Sequence, residues 1–185
     1  MARLLLFAGA TVVLAWVSRA PLAVPGSHGF YRLFAWECVL GLLALNFVGL
    51  RQWFADPFSV HQLISWLLLF ACIVPAVLGA QQLYRRGIPR AERHDPSLLA
   101  FEKTTRLVTT GVYRHVRHPL YGSLLLLAWG VFFKRPSAVA LALALAASAF
   151  LVVTAKAEEG ENLRYFGEEY RAYRQATRMF IPLLF

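Results

Sequence analysis

Leu107-Val-Thr-Thr-Gly-Val-Tyr-Arg-His-Val-Arg-His-Pro-Leu-Tyr121 runs directly into an apolar block, and Glu158-Glu-Gly-Glu-Asn-Leu-Arg-Tyr-Phe-Gly-Glu-Glu-Tyr-Arg-Ala-Tyr173 follows the next one. An out-and-back pair of apolar helices between them returns both polar segments to one side of a bilayer. Pro119 opens the first of the pair, a position where proline is well tolerated because its missing N–H would be unpaired anyway. Lys134-Arg135-Pro136 makes the tight turn between the two. A pocket walled by protein and fed from lipid is the expected result.

Working outward, apolar residues make up 58% of the chain and charged residues 16%, outside the usual range for a soluble domain. They come in blocks at about 4–18, 33–50, 63–80, 119–133 and 137–155. A bilayer core asks for about 20 apolar residues per helix, so the two shortest blocks must recruit neighbours at their ends. The first block reads as a helix rather than as a signal peptide, since no small-x-small cleavage site precedes Arg19. The expectation is an all-α polytopic integral membrane protein of about five transmembrane helices, with a C-terminal helical hairpin and a cytosolic pocket. Residues 1–84 hold helices one to three, and 85–185 form the site-bearing part.

The net charge of +9 is explained by topology. With the N-terminus outside, 15 of the 19 Lys and Arg residues fall on the inner side, the positive-inside pattern. Attraction to anionic lipid accounts for the rest, and nucleic acid is not an expected partner. Cys38 and Cys72 lie within spans without a CxxC spacing and read as packed thiols. His115 and His118 lack a third ligand, so no metal is expected.

Along the chain, Pro21, Pro25 and Gly26 break the connector from Arg19 to Arg32. Glu37 sits about a turn from Arg32 and reads as interfacial. Pro75 should kink the third span. The segment 85–117 is a long inner loop of the kind that carries function, with an interfacial helix expected over 96–106 and Leu98, Leu99 and Phe101 toward lipid. The fifth span is expected to end near Ala155, with an amphipathic helix from Lys156 that Gly167 interrupts and Pro182 stops.

Gly111-Val-Tyr113, Arg117-His-Pro-x-Tyr121, Glu158-Glu159 and Phe166-Gly-x-x-Tyr170-x-x-Tyr173 together resemble the membrane methyltransferases typified by isoprenylcysteine carboxyl methyltransferase, with phospholipid and thiol methyltransferases sharing parts of the pattern. The resemblance covers about residues 97–182. It implies S-adenosylmethionine as cofactor, a pocket facing the cytoplasm, and localisation in the inner or plasma membrane of a prokaryote. Carried over by position, the cofactor contacts would be Thr105, Arg106, Leu107, Val108, Tyr113, His118, Pro119, Leu120, Tyr121 and Glu158.

The residue chemistry is compatible. Arg117 or His118 can donate to the cofactor carboxylate through a charge-assisted bond. Tyr113 and Tyr121 offer a hydroxyl and a ring face for adenine or a sulfonium. Glu158 can accept from ribose or ammonium, and Gly111 permits a tight turn. Each also has a plainer reading: His118 as an interfacial cap, Arg114 and Arg117 as positive-inside residues, the Glu158–Arg164 run as a solvated face, Tyr170 and Tyr173 as interfacial anchors.

Methyl transfer is an in-line displacement that depends on holding the nucleophile at about 3 Å with water excluded. A carboxylate acceptor needs no base, whereas an amine or thiol must lose a proton. Glu159 and His115 are the candidate bases. The carboxyl methyltransferases carry an arginine one helical turn before the first glutamate, where Thr154 stands here. Thr154 is the substrate-side position by that resemblance, and it cannot supply a charge. Arg164, placed on a following helix, is the residue able to reach back in its stead. The acceptor, a small or lipidic carboxylate, amine or thiol, stays open, as does the oligomeric state. The alternatives are an NADPH-dependent enzyme like the membrane sterol reductases and a non-catalytic membrane sensor or scaffold.

Overall fold

The structure is a computed structural model and describes residues 2–47, 53–87, 98 and 103–182. Among these it is built from helices, with one isolated parallel bridge between Val116 and Arg178. Helix α1 spans Ala2–Val17, a short α2 Arg19–Leu22, and α3 His28–Phe47. Helices α4 (Val60–Ala71) and α5 (Ile73–Arg86) follow, then α6 (Pro119–Lys134), α7 (Ala138–Phe166) and α8 (Glu168–Ala176).

Local chemistry sets these boundaries. Proline at 75 has no N–H to give to the carbonyl four residues back, and the α4–α5 rod breaks at Cys72, as expected for that span. Pro119 stands at the start of α6. Ser137 caps α7 by accepting from the Ala140 N–H at 3.2 Å, which satisfies an otherwise orphaned donor. Gly167, at φ +59, ends that helix, and Glu168 and Glu169 open α8, where negative charge complements the helix dipole.

One expectation about this end is corrected. The fifth apolar helix does not stop near Ala155; it continues unbroken to Phe166, because no breaker separates its apolar part from its charged part. After the interruption at Gly167 the last helix runs from Glu168 to Ala176, and the tail continues from there to Pro182. Of the interfacial helix expected over 96–106, most lies outside the described residues, and 103–106 is not helical. Leu98 is buried rather than turned toward lipid.

The helices pack antiparallel through small residues. Ala140, Ala144 and Ala147 recur at helical spacing on one face of α7 and are enclosed against Val39 and Leu42 of α3 and Ala128 and Val131 of α6, while Leu151, a turn further on, packs with Ala35, Tyr121, Met179 and Phe180. Gly130 lets α4 approach α6, since a Cβ there would stand 2.9 Å from Leu69, and Ser65 donates to the Gly130 carbonyl at 2.7 Å. Close backbone approach through small residues is the usual way helices associate in lipid. Some polar groups on the helices find partners inward. Glu37 accepts from Thr11 at 2.9 Å, which ties α1 to α3. Lys134 donates to Gln62 at 2.8 Å and lies 3.2 Å from the Trp66 ring centre.

The outward faces are apolar. Leu63, Leu67, Phe70, Val74 and Val77 along α4–α5, and Val12, Val13 and Trp16 on α1, are exposed, a larger apolar surface than soluble monomers show. Val60–Arg86 and Ala138–Phe166 are each long and apolar enough to cross a membrane, while Leu5–Val17 and Pro119–Lys134 are shorter apolar helices.

Candidate functional site

One end of the bundle gathers the polar motifs. There α5 ends, α6 begins, α7 finishes and α8 folds back. Gly87 accepts from both the Thr105 and Arg106 N–H groups, at 3.2 and 3.3 Å, which brings the loop back onto α5. The next turn, a 3-10 helix at Gly111–Arg114, is held by Gln82, whose Oε1 accepts from the Val112 N–H at 3.0 Å. Gly111 suits the turn because its φ is +66, and an added Cβ would also displace the end of the Gln82 side chain from its bond to Val112.

Between these elements lies a cleft lined by Leu83, Leu98, Thr104, Leu107, Val108, Tyr113, Arg117–Tyr121, Glu158, Asn162, Phe166, Tyr170 and Tyr173. It is open to solvent at its mouth, and with that open space counted it encloses about 700 Å³. Glu158, Asn162 and Phe166 stand four residues apart, so the charged end of α7 turns one face to it.

Of the residues singled out from the sequence, Leu107, Val108, Tyr113, Arg117, His118, Pro119, Leu120, Tyr121 and Glu158 line this cleft. Thr105 and Arg106 do not; their N–H groups are spent on Gly87. Thr154 is also absent from the lining. It is a fully buried residue of α7 itself, its hydroxyl bonded to the Phe150 carbonyl one turn back at 2.7 Å. None of Glu159, His115 and Arg164 lines the cleft. His115 and Arg164 are exposed, and Arg164 lies on α7 itself, so it does not reach back from a following helix.

Sequence reasoning missed Leu83, Leu98, Thr104, Asn162, Phe166, Tyr170 and Tyr173. The last two are corrected outright: they are buried walls of the cleft and not interfacial anchors. The signal was available in the spacing 158, 162, 166, 170, 173, but it is legible only if the helix is carried past Ala155.

Arg117 is not free to clamp a ligand. Its Nε donates to Glu159 at 2.7 Å, and its Nη1 donates to the carbonyls of Arg174, at 3.1 Å, and Thr177. The backbone repeats the attachment, with Arg117 N–H donating to Arg178, His118 to Met179, and Arg178 back to His115. Tyr173 donates to the Tyr113 carbonyl at 2.7 Å. The tail is thus sewn to the entrance of α6, and α8 is held across the cleft as a wall.

His118 is 4% exposed, its ring stacked on Tyr121 with centroids 5.4 Å apart. Its Nδ1 lies 3.7 Å from Glu158 and its Nε2 3.5 Å from Glu159. Nε2 is buried without a hydrogen-bond partner. Burial pushes the Tyr170 and Tyr173 hydroxyls well above the usual phenol range. Glu158 and Glu159 add to the effect at Tyr170, whereas at Tyr173 Arg117 works against it. Both hydroxyls therefore stay protonated donors. Behind α7, Glu161 accepts from the His28 backbone N–H at 3.0 Å and pairs with its ring, tying the start of α3 to the same helix.

Residues 93–169 match the model of the phospholipid methyltransferase family. No curated protein and no solved structure matches the chain. The match bears out the resemblance to membrane methyltransferases read from the ordered motifs. It takes in the turn at Gly111, the Arg117–Tyr121 entrance to α6, both glutamates and Gly167, and it ends just before Tyr170.

Proposed function

We propose that this chain, with its phospholipid methyltransferase-family segment at 93–169, is an integral membrane methyltransferase that uses S-adenosylmethionine. The observation that carries the reading is the cleft. The motifs on both sides of the α6–α7 hairpin converge on one concave site with stacked aromatic rings, an adjacent carboxylate and a buried imidazole. Glu158 suits the ribose hydroxyls or the ammonium, His118 the carboxylate, and the rings of Tyr113 and Tyr121 the adenine or sulfonium. When bound, the cofactor supplies an activated methyl group. The protein's part is to orient the acceptor and keep water out, for which the apolar side chains of Leu83, Leu98, Leu107 and Phe166 are suited.

The acceptor is proposed to be a lipidic or small molecule with an amine or thiol. Among the described lining residues, the only permanent cation is Arg117, and it is already paired with Glu159. An anionic acceptor would therefore lack a partner for its charge. The position that would supply a cation in the carboxyl methyltransferases is Thr154, an uncharged and fully buried residue of α7.

In the proposed topology all five long helical units cross the bilayer and the cleft faces the cytoplasm. Residues 1–84 brace the site-bearing part, 85–185, from one side. The antiparallel packing and the apolar outward faces support this arrangement.

Calorimetry on the purified protein tests the cofactor. His118→Ala and Glu158→Ala should each weaken S-adenosylmethionine binding at least tenfold, about 1.4 kcal/mol, in protein that stays monodisperse. Unchanged affinity in both variants would remove the assigned cleft. Wild-type protein that binds NADPH and not S-adenosylmethionine would replace the methyltransferase with a reductase.

A further inference from the structure

We propose that His28 and Glu161 are positioning residues for the cofactor: their contact fixes how the charged end of α7 is rotated, and so the direction in which Glu158 and Asn162 face the cleft. This deepens the methyltransferase reading of the cleft and rests on it.

Neither residue lines the cleft. Both are buried, His28 completely. The first N–H groups of a helix have no intrahelical acceptor. At the start of α3, Ser27 serves one of them, accepting from the Phe30 N–H at 3.2 Å, and Glu161 serves another. One oxygen of Glu161 accepts from the His28 N–H at 3.0 Å, and the other meets the His28 ring at Nδ1. A carboxylate at this end of a helix also meets the positive pole of its dipole. Both oxygens are thus held by one residue in the first turn of α3. That helix runs on along α7, with Val39 and Leu42 in the shared core and the rings of Phe34 and Phe150 stacked.

At about 100° per residue, Glu158, Asn162 and Phe166 occupy an arc of about 80° on α7, and Glu161 lies about 60° outside the edge marked by Glu158. Glu159, which faces Arg117 at 2.7 Å, lies about 20° outside the other edge. The cleft face is therefore held on both flanks, by α3 on one side and by the entrance of α6 on the other. Loss of the α3 contact leaves α7 to turn about its remaining tie. A rotation of about 20° swings a side-chain tip, about 5–6 Å from the helix axis, by about 2 Å. That carries a hydrogen bond of about 3 Å out of range. Residues 1–84 thereby act on a cleft to which, among the described lining residues, they contribute only Leu83.

The test is calorimetric titration of S-adenosylmethionine into the full chain in nanodiscs. His28→Ala, which removes the ring and keeps the backbone N–H, should weaken binding at least fivefold. His28→Asn, whose side-chain amide can donate from the place of Nδ1, should return it to within twofold of wild type. Val39→Ala, in the same α3–α7 core but without a part in the contact, should lower the denaturation midpoint and leave affinity within twofold. In a Glu158→Ala background the further loss from His28→Ala should shrink, because Glu158 is one of the groups the contact aims. If His28→Ala does not extract as a folded species, Glu161→Asp, which withdraws the carboxylate by one methylene, takes its place with an expected loss of at least threefold. Unchanged affinity in the variant used, an equal loss in Val39→Ala, no rescue by asparagine, or an undiminished loss in the Glu158→Ala background each overturns the proposal. Wild-type protein that fails to bind S-adenosylmethionine sinks the methyltransferase reading itself, a separate result.

Discussion

Replacing Tyr173 by phenylalanine removes a single hydroxyl from the wall of the cleft and leaves its ring in place. That hydroxyl donates to the Tyr113 carbonyl at 2.7 Å, across 60 residues of chain, between residues that are 8% and 7% exposed. A net intramolecular hydrogen bond contributes about 0.5–1.5 kcal/mol, and a buried acceptor left without its donor adds to the loss. Edge-to-face packing of Tyr173 on Tyr170, with centroids 5.8 Å apart, survives in phenylalanine. The expected cost is therefore about 1–2 kcal/mol of stability, read by chemical denaturation in detergent against the wild type. Because the hydroxyl is spent on Tyr113, S-adenosylmethionine affinity should change by less than threefold. The pH dependence follows from burial, which raises the folded pKa of Tyr173. The contribution is fully present below the ordinary tyrosine value of about 10 and is lost only as pH rises beyond it. The wild-type advantage over Tyr173→Phe should accordingly be flat from pH 6 to 9. A variant of unchanged stability with tenfold weaker cofactor binding would refute this reasoning and make the hydroxyl a ligand contact.

Two further predictions concern other parts of the fold. At the far end of the bundle, Lys134→Met removes the bond to Gln62 and the contact with Trp66. Stability should fall by about 1–2 kcal/mol while methyl transfer stays within twofold, the relief of desolvation offsetting part of the lost charge-assisted and cation–π attraction; an unchanged denaturation midpoint would show that the cluster contributes nothing. In a background with Cys38 and Cys72 replaced by alanine, cysteines at Arg106 and Gln175 should react from one side of oriented vesicles and a cysteine at Phe58 from the other. Labelling of 106 and 175 from opposite sides would overturn the proposed topology.

Much of this molecule is legible locally. Pro119, Ser137, Gly167 and the Cys72–Pro75 break act through their own backbone chemistry, so helix starts and stops follow from one or two residues each. Apolar blocks announce helices, and ordered motifs on both flanks of the hairpin place the cleft at one end. The misreadings on the C-terminal side of the cleft share one cause, the end of α7. Charged residues after Ala155 suggested a change of element, yet charge does not break a helix, and Glu158, Asn162 and Phe166 share a face only because α7 continues to Phe166.

The sequence by itself determined the class, an all-helical chain with helices of membrane-spanning length and a methyltransferase-like segment, because block length, helix breakers and motif order are properties of contiguous residues. Only the tertiary structure decided what each polar side chain is for. Glu158 borders the cleft, Glu159 is consumed by Arg117, and Glu161 holds the start of α3. These three carboxylates sit within four positions on one helix and differ only in the direction they point. At 100° per residue, direction is set by which helices pack on which side, and no local pattern records that.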